Sequence, residues 1–411
     1  MNLELFVARR LYHERKGERR ISRPAVAVAQ WGVAVGTIVM FVSISIIVGF
    51  KHNIREKIIG FGGHIQVMSY ESVTDAVVPV FATEGLLAEL KSLKGVQGVS
   101  TYVQKPGMIM VNGEYEGIML KGVGENFDTS FIKSSLVAGE LPKFTEAAPS
   151  NSIVISRLSA QRLQVGIGDK INLYFIENGI KARRMVVAAL YETHLAELDN
   201  SMALTDIYTV QRLNGWGQAE VSAVEIAIAD YGELENIRQE VNAVLYEKDG
   251  NQAKLYAPTI EELYPSLFAW LSVLDQTVWL ILVLVLFIAG FTMVSGLLIL
   301  ILEKSNFIGV MKALGARNVS VAKVFLYYAC IVIGRGIIIG NVIAVVMCFV
   351  QQRFGIVALD PEMYYMNTVP VEFSWLLLPM NVGMFLLSVL MLVAPSALIA
   401  KIEPVKAIKY E

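Results

Sequence analysis

Histidine, aspartate and serine stand close together once in this chain, at His194, Asp199 and Ser201. Those are the side chains of a nucleophile, a base and its orienter, and acyl-transfer chemistry needs them within hydrogen-bond reach of one another. Neighbouring positions in sequence do not supply that geometry, so no catalytic residue is assigned. His13, His52, His64 and His194 fall at no metal-ligand spacing, so no metal site is expected. The pattern G-x-x-x-x-G-K-[ST] is absent, which leaves the chain without a phosphate loop, and Gly122-Val123-Gly124 is too short to serve as one. Cys330 and Cys348 share one apolar stretch. Eighteen helical residues would separate them by about 27 Å, far beyond disulfide reach.

With little chemistry to position, the elements themselves carry the information. Apolar residues make up 55% of the 411-residue chain and charged ones 18%, too apolar for one water-soluble globule. The net charge of −2 gives no case for nucleic acid. Four apolar stretches, 24–50, 267–302, 321–352 and 373–400, are each long enough to cross a bilayer core, which takes about 20 helical residues. The first is too long for a secretory leader and lacks a small-x-small cleavage site, so it reads as a retained anchor. The second is long enough to continue outward as a stalk carrying Trp270, Asp275 and Gln276. Basic residues set the orientation. Arg9, Arg10, Arg15, Lys16, Arg19, Arg20 and Arg23 precede the first span, Lys304, Lys312, Arg317 and Lys323 lie between the second and third, and Lys401, Lys406 and Lys409 follow the fourth. Both termini are therefore expected in the cytoplasm, with segment 51–266 and the loop 353–372 outside it.

Segment 51–266 alternates strand-like and helical patterns. Strands are expected at 64–69, 115–122, 152–155, 170–175, 185–190 and 221–229. Helices are expected at 84–93, 157–163 and 232–246, the last presenting Leu234, Ile237, Val241 and Leu245 on one face. Asn178-Gly179 is a hairpin turn candidate. The fold class is thus four membrane helices with an α+β domain inserted between the first and second.

The connection between the second and third spans, 303–320, reads E-K-S-N-F-I-G-V-M-K-A-L-G-A from Glu303. Phe307, Met311 and Leu314 recur at i, i+4, i+7, the stripe of a short amphipathic helix. Gly315 is placed to end it, and Asn318 or Ser320 to cap the next span. Such a helix either rests on lipid headgroups or fits a groove on a cytoplasmic partner.

This segment resembles the coupling segment of the FtsX-like, or mechanotransmission, permeases of ATP-binding-cassette machines. The tail from Pro395 through Pro404-Val405-Lys406-Ala407-Ile408 resembles that family's closing pattern, and the order of one span, a large domain and three spans is also the family's. Within it, F-V-A-R-R-L at Phe6–Leu11, I-S-R-P at Ile21–Pro24, G-F-K at Gly49–Lys51 and G-G-H-I at Gly62–Ile65 look like the lipoprotein-releasing branch. Residues 1–23 then read as an amphipathic arm on the inner leaflet, through Leu3, Phe6, Val7, Arg10 and Leu11.

The resemblance implies a non-enzymatic inner-membrane subunit without its own cofactor, with ATP and Mg bound by a separate cytoplasmic ATPase. It implies a second permease copy or paralogue, lipoprotein cargo, a carrier chaperone, and an inserted subdomain at about 113–220. The tight hairpin around Glu177–Ile180 leaves little room for the extended loop with which some such permeases hold the chaperone. Coupling to the ATPase would fall to Glu303, Lys304, Phe307, Ile308, Met311, Lys312 and Leu314. An acyl-lined cavity would use Met40, Phe41, Ile44 and Val48 of the first span and Leu282, Leu286 and Ile288 of the second. Ordinary packing competes with that role at each position. Gly32-x-x-x-Gly36 and Gly336-x-x-x-Gly340 permit close helix crossing without marking a dimer face. Arg335 lies about midway along the third apolar stretch, where a charge costs at least about 2.5–3.5 kcal/mol. It either ties helices together through carbonyls or, as a further residue of the lipid and substrate cavity, contacts an anionic lipid group of cargo. Two other readings stand beside lipoprotein extraction: an efflux permease of the macrolide-exporter type, and a mechanotransmitter that switches a cell-wall hydrolase.

Overall fold

Where an apolar run ends, a helix need not. In the computed structural model, which describes residues 3–13, 22–73, 78–111, 113–144, 149–176, 179–248 and 254–393, the first span belongs to a helix running unbroken from Ser22 to Gly62. Ile54, Ile58 and Phe61 carry a buried stripe onward past Phe50 at helical spacing. Gly63, at φ +66, then takes the left-handed conformation that closes the helix, and its N–H reaches the Ile59 carbonyl at 2.7 Å.

The chain forms two compact units, one of residues 1–51, 270–358 and 368–411, the other of residues 52–269 and 359–367. The helical unit contains α1 (Leu3–His13), the first part of α2 (Ser22–Gly62), most of α3 (Pro265–Glu303), α4 (Ser305–Ala313), α5 (Asn318–Phe354) and α6 (Leu377–Met391). Three of these, α2, α3 and α5, are long and apolar enough to cross a membrane; α6 is a shorter apolar helix within the described residues. The tail pattern from Pro395 lies outside those residues.

Close approach decides how the helices pack. A Cβ at Gly336 would meet the Gln30 carbonyl at 2.9 Å, and one at Gly340 would meet the Ala34 carbonyl and Thr37 Cβ at 2.6 Å. The small-residue pair of α5 is therefore spent on α2 within the same chain. Gly32 faces Thr292, and Gly36 faces Val285, Ala289 and Met384, so the pair on α2 is likewise used internally.

The other unit is built on a ten-stranded sheet. Its strands are β1 (Ile65–Ser69), β2 (Val96–Val111), β3 (Glu114–Val123), β4 (Leu136–Gly139), β5 (Ser152–Ser156), β6 (Lys170–Ile176), β7 (Ile180–Tyr191), β8 (Met202–Asp206), β9 (Ala223–Ile228) and β10 (Leu255–Tyr256). The order is β10-β1-β9-β2-β3-β8-β5-β7-β4, with β6 bridging β2 and β7. Helix 234–248 buries Leu234, Ile237, Val241 and Leu245, the face expected from spacing. The hydrophobic core runs without interruption from Ile65 to Ala257.

The sixteen-residue β2 has no counterpart in the expected strands, because Lys105-Pro106-Gly107 punctuates it. Proline removes a ladder donor. The strand tolerates it because β9 pairs with residues up to Tyr102 and β6 begins at Met108, so Pro106 sits in the gap between partners on that edge. The pair Glu177-Asn178 lies outside the described residues; β6 and β7 stay in register up to Ile176 opposite Ile180.

Candidate functional site

The helical unit offers an apolar groove between α2 and α3. Pro24, Val28, Trp31, Val35 and Val39 line it from α2, and Val285, Ile288 and Thr292 from α3, enclosing about 810 Å³. A second, smaller groove of about 190 Å³ lies between α2, α3 and α6 and is lined by Met40, Trp279, Leu282, Leu286, Met380 and Leu387. Of the cavity candidates from sequence, Met40, Leu282 and Leu286 line the smaller groove and Ile288 lines the larger. Phe41 and Ile44 are buried in the helical core, Phe41 with its ring edge-on to Phe373 at 6.2 Å. Val48 packs partly buried against the same core. The sequence reading missed Trp31 and the small-residue side of α2, since a lipid-facing stripe and a groove wall have the same composition.

At the far end of α2 in this unit, Lys51 Nζ donates to Asp275 at 2.6 Å, and Phe50 meets Trp270 edge-on at 5.5 Å. These contacts join the start of α3 to α2.

The short helix α4 is closed by a paired motif. Ala316 N–H reaches the Met311 carbonyl and Gly315 N–H the Lys312 carbonyl, both at 3.0 Å, with Gly315 at φ +91. This is the termination expected at Gly315. The next helix begins at Asn318 with Arg317 as N-cap and no side-chain cap bond, so neither Asn318 nor Ser320 caps it. Ile308 is fully buried in the helical core. Glu303, Lys304, Phe307, Met311 and Lys312 are half-buried, and Met311 packs on that core. Of the expected stripe Leu314 alone is fully open, at 80% exposure; Val310 joins it on the open face.

Arg335 stands near the middle of α5. Gly336 beside it packs on Gln30 and Gly340 on Ala34, which sets Arg335 level with the N-terminal part of the α2 apolar run. Its Nη1 donates to the Tyr12 hydroxyl of α1 at 2.8 Å, and its guanidinium stands 4.4 Å from the Tyr12 ring centre. Tyr12 also tilts against Tyr328 of α5. With Ala8 fully buried and Val7 and Leu11 packed beside it, α1 holds α5 with one face. Leu3, Phe6 and Arg10 remain exposed on the other.

The sheet-containing unit grips the last turns of α2 through polar contacts that no sequence pattern announced. Lys57 Nζ donates to the carbonyls of Thr193 at 2.8 Å and Tyr365 at 2.6 Å. Burial lowers the Lys57 pKa, and nearby Asp199 opposes that shift. The Asp199 carboxylate, raised by its own burial, accepts from the Thr193 hydroxyl and from the N–H groups of Thr193 and His194. His194 faces Asn367 at 3.1 Å, and Ser201 donates to the Glu197 carbonyl, so His194, Asp199 and Ser201 form no relay. Further in, Lys121 pairs with Glu225 at 2.5 Å, both almost wholly buried, and also donates to the Phe61 carbonyl at the end of α2. A cation at a helix C-terminus complements the exposed carbonyl dipoles there. Arg55 lies 3.6 Å over the Tyr231 ring. Among the described residues no group of three metal-ligating side chains comes together.

Residues 27–244 match the MacB-like periplasmic core domain, and residues 279–404 match the FtsX-like permease C-terminal domain. The lipoprotein-releasing system transmembrane protein LolE of Haemophilus influenzae is 21% identical over 99% of both chains. LolC of Neisseria meningitidis serogroup B is 22% identical over 92% of both. The crystal structure of the periplasmic region of MacB from Actinobacillus actinomycetemcomitans is 13% identical, covering 49% of this chain and 91% of that one at a TM-score of 0.36.

Proposed function

Because this chain belongs to the FtsX-like permease family, with a MacB-like periplasmic core domain built into it, we propose that it is the membrane subunit of an ATP-driven complex that lifts lipoproteins out of the inner membrane for transfer to the outer one. The observation that carries this reading is the groove of about 810 Å³ between α2 and α3. It is apolar, and it is walled by the helix whose continuation the periplasmic domain grips. Pulling an acyl chain from a bilayer costs about 0.8 kcal/mol per CH₂, so extraction needs both an apolar receiver and external work.

The work would come from a separate ATPase bound at α4, where Val310 and Leu314 are the open apolar contacts and Lys304 and Lys312 the neighbouring charges. Four spans with both termini in the cytoplasm satisfy the basic-residue pattern, the apolar stretch 373–400 being the fourth. A second permease copy or paralogue would close the open side of the groove, and a carrier chaperone would receive the cargo on the periplasmic side. The full-length likeness to LolE and LolC favours lipoprotein cargo over small-molecule efflux or hydrolase control.

Depleting the protein and following acylated lipoproteins between the two membranes tests the proposal. Accumulation in the inner membrane within the first doublings is the expected result. An unchanged distribution would overturn extraction and leave efflux or envelope regulation as the role.

A further inference from the structure

The exposed face of α5 has two charged ends. Ile338, Val342, Val346 and Phe349 are 57–64% exposed and fall on one helical stripe. Arg335 and Arg353, both exposed, terminate that stripe. They are eighteen residues apart, which is five full turns and about 27 Å, against a hydrocarbon core about 30 Å thick. A stripe of that length matches the hydrocarbon core, with an arginine at each of its ends. Because Gly336 packs on Gln30 and Gly340 on Ala34, Arg335 stands level with the start of the α2 apolar run, the end that the basic residues before it assign to the inner leaflet.

The Arg335 guanidinium contacts the Tyr12 hydroxyl and ring and has no carboxylate within ion-pairing distance among the described residues. Among the described residues its charge balance is therefore unmet, at a level where lipid phosphates are dense. A guanidinium binds phosphate through two parallel hydrogen bonds. One arm of Arg335 is held by Tyr12, so the geometry leaves its remaining donors directed by a helix already fixed on α5.

We propose that Arg335, held in place by Tyr12, binds the phosphate of an inner-leaflet glycerophospholipid whose acyl chains lie along Ile338, Val342 and Val346. The lipid then forms part of the seam between α1 and α5. This site is independent of the cargo assignment, because it is defined by the headgroup phosphate and lies on α5, away from the groove.

The test uses the full-length protein in detergent micelles, with bound lipid counted by native mass spectrometry. Phosphatidylglycerol is compared with diacylglycerol of the same acyl chains, which lacks only the phosphate headgroup. Phosphatidylglycerol should bind the wild-type protein at least about tenfold more tightly, the size of one charge-assisted hydrogen bond. Equal binding of the two would overturn the proposal without any variant. Arg335→Gln should erase the preference and Arg335→Lys should keep much of it; full preference in a folded Arg335→Gln protein would also overturn it. Excess inorganic phosphate should leave lipid occupancy unchanged, and displacement by it would reassign the site to a free anion.

Discussion

Two buried polar clusters of the periplasmic domain set measurable limits at the scale of single residues. Lys121 and Glu225 are each almost fully buried, so removing Lys121 leaves the Glu225 carboxyl buried without its ion-pair partner, at a cost of about 3–5 kcal/mol. Lys121→Met should destabilise the domain by that amount in denaturant unfolding, and adding Glu225→Leu should recover most of it. His64 behaves differently. Burial and the adjacent Arg55 charge lower its pKa to about 4, whereas the unfolded chain takes up that proton near 6.5. Between those values the unfolded state holds more protons, so the stability His64 contributes is complete above pH 6.5 and is lost as pH falls toward 4. The melting temperature of the domain should decline across that window. His64→Gln should flatten the decline, since a glutamine oxygen can accept the Ile228 N–H that His64 Nδ1 now accepts.

At the scale of elements, the glycines of α5 divide into those that touch a neighbour and those that do not. Gly340→Ala forces a methyl group to 2.6 Å from Ala34 and Thr37 and should cost about 1–3 kcal/mol of overpacking. Gly334→Ala meets nothing within 4 Å and should be neutral or stabilise the helix by about 0.5–1 kcal/mol. Thermal unfolding of the two proteins in one detergent separates the cases. Spacing alone put both Gly336 and Gly340 at a crossing, but the partner helix is a tertiary fact. The same limit explains what else was legible. Helix 234–248 announces itself because one face is apolar at the right period, and strand 152–156 because Ile153-Val154-Ile155 is a short, fully buried apolar run. Strand β2 hides behind Pro106, tolerated only because its edge is unpaired there. The extension of α2 to Gly62 hides behind His52, Asn53, Arg55 and Glu56, polar residues that end the apolar run while Ile54, Ile58 and Phe61 continue the buried side. For the candidate site, the residue types were readable and the walls were not. Met40, Leu282, Leu286 and Ile288 do line grooves, yet which face of an all-apolar helix turns outward is decided by its neighbours.

At the scale of the whole molecule, one feature of α2 has a mechanical meaning. Met40, Phe41 and Ile44 are buried in one compact unit, and Ile54, Ile58 and Phe61 in the other, all on one helix without a break. A helix turns 100° and climbs 1.5 Å per residue, so the angular offset between those faces is stored in a residue count, as ignition timing is stored in a camshaft. One alanine inserted between Lys51 and His52 would mistime the faces by about 100°. Seven would return them to within about 20° while lengthening the shaft by about 10 Å. Under the proposed extraction role, the single insertion should abolish lipoprotein release and the sevenfold one should restore part of it, measured by release from membranes under ATP. That pattern would mark rotation, rather than thrust, as the quantity this shaft delivers.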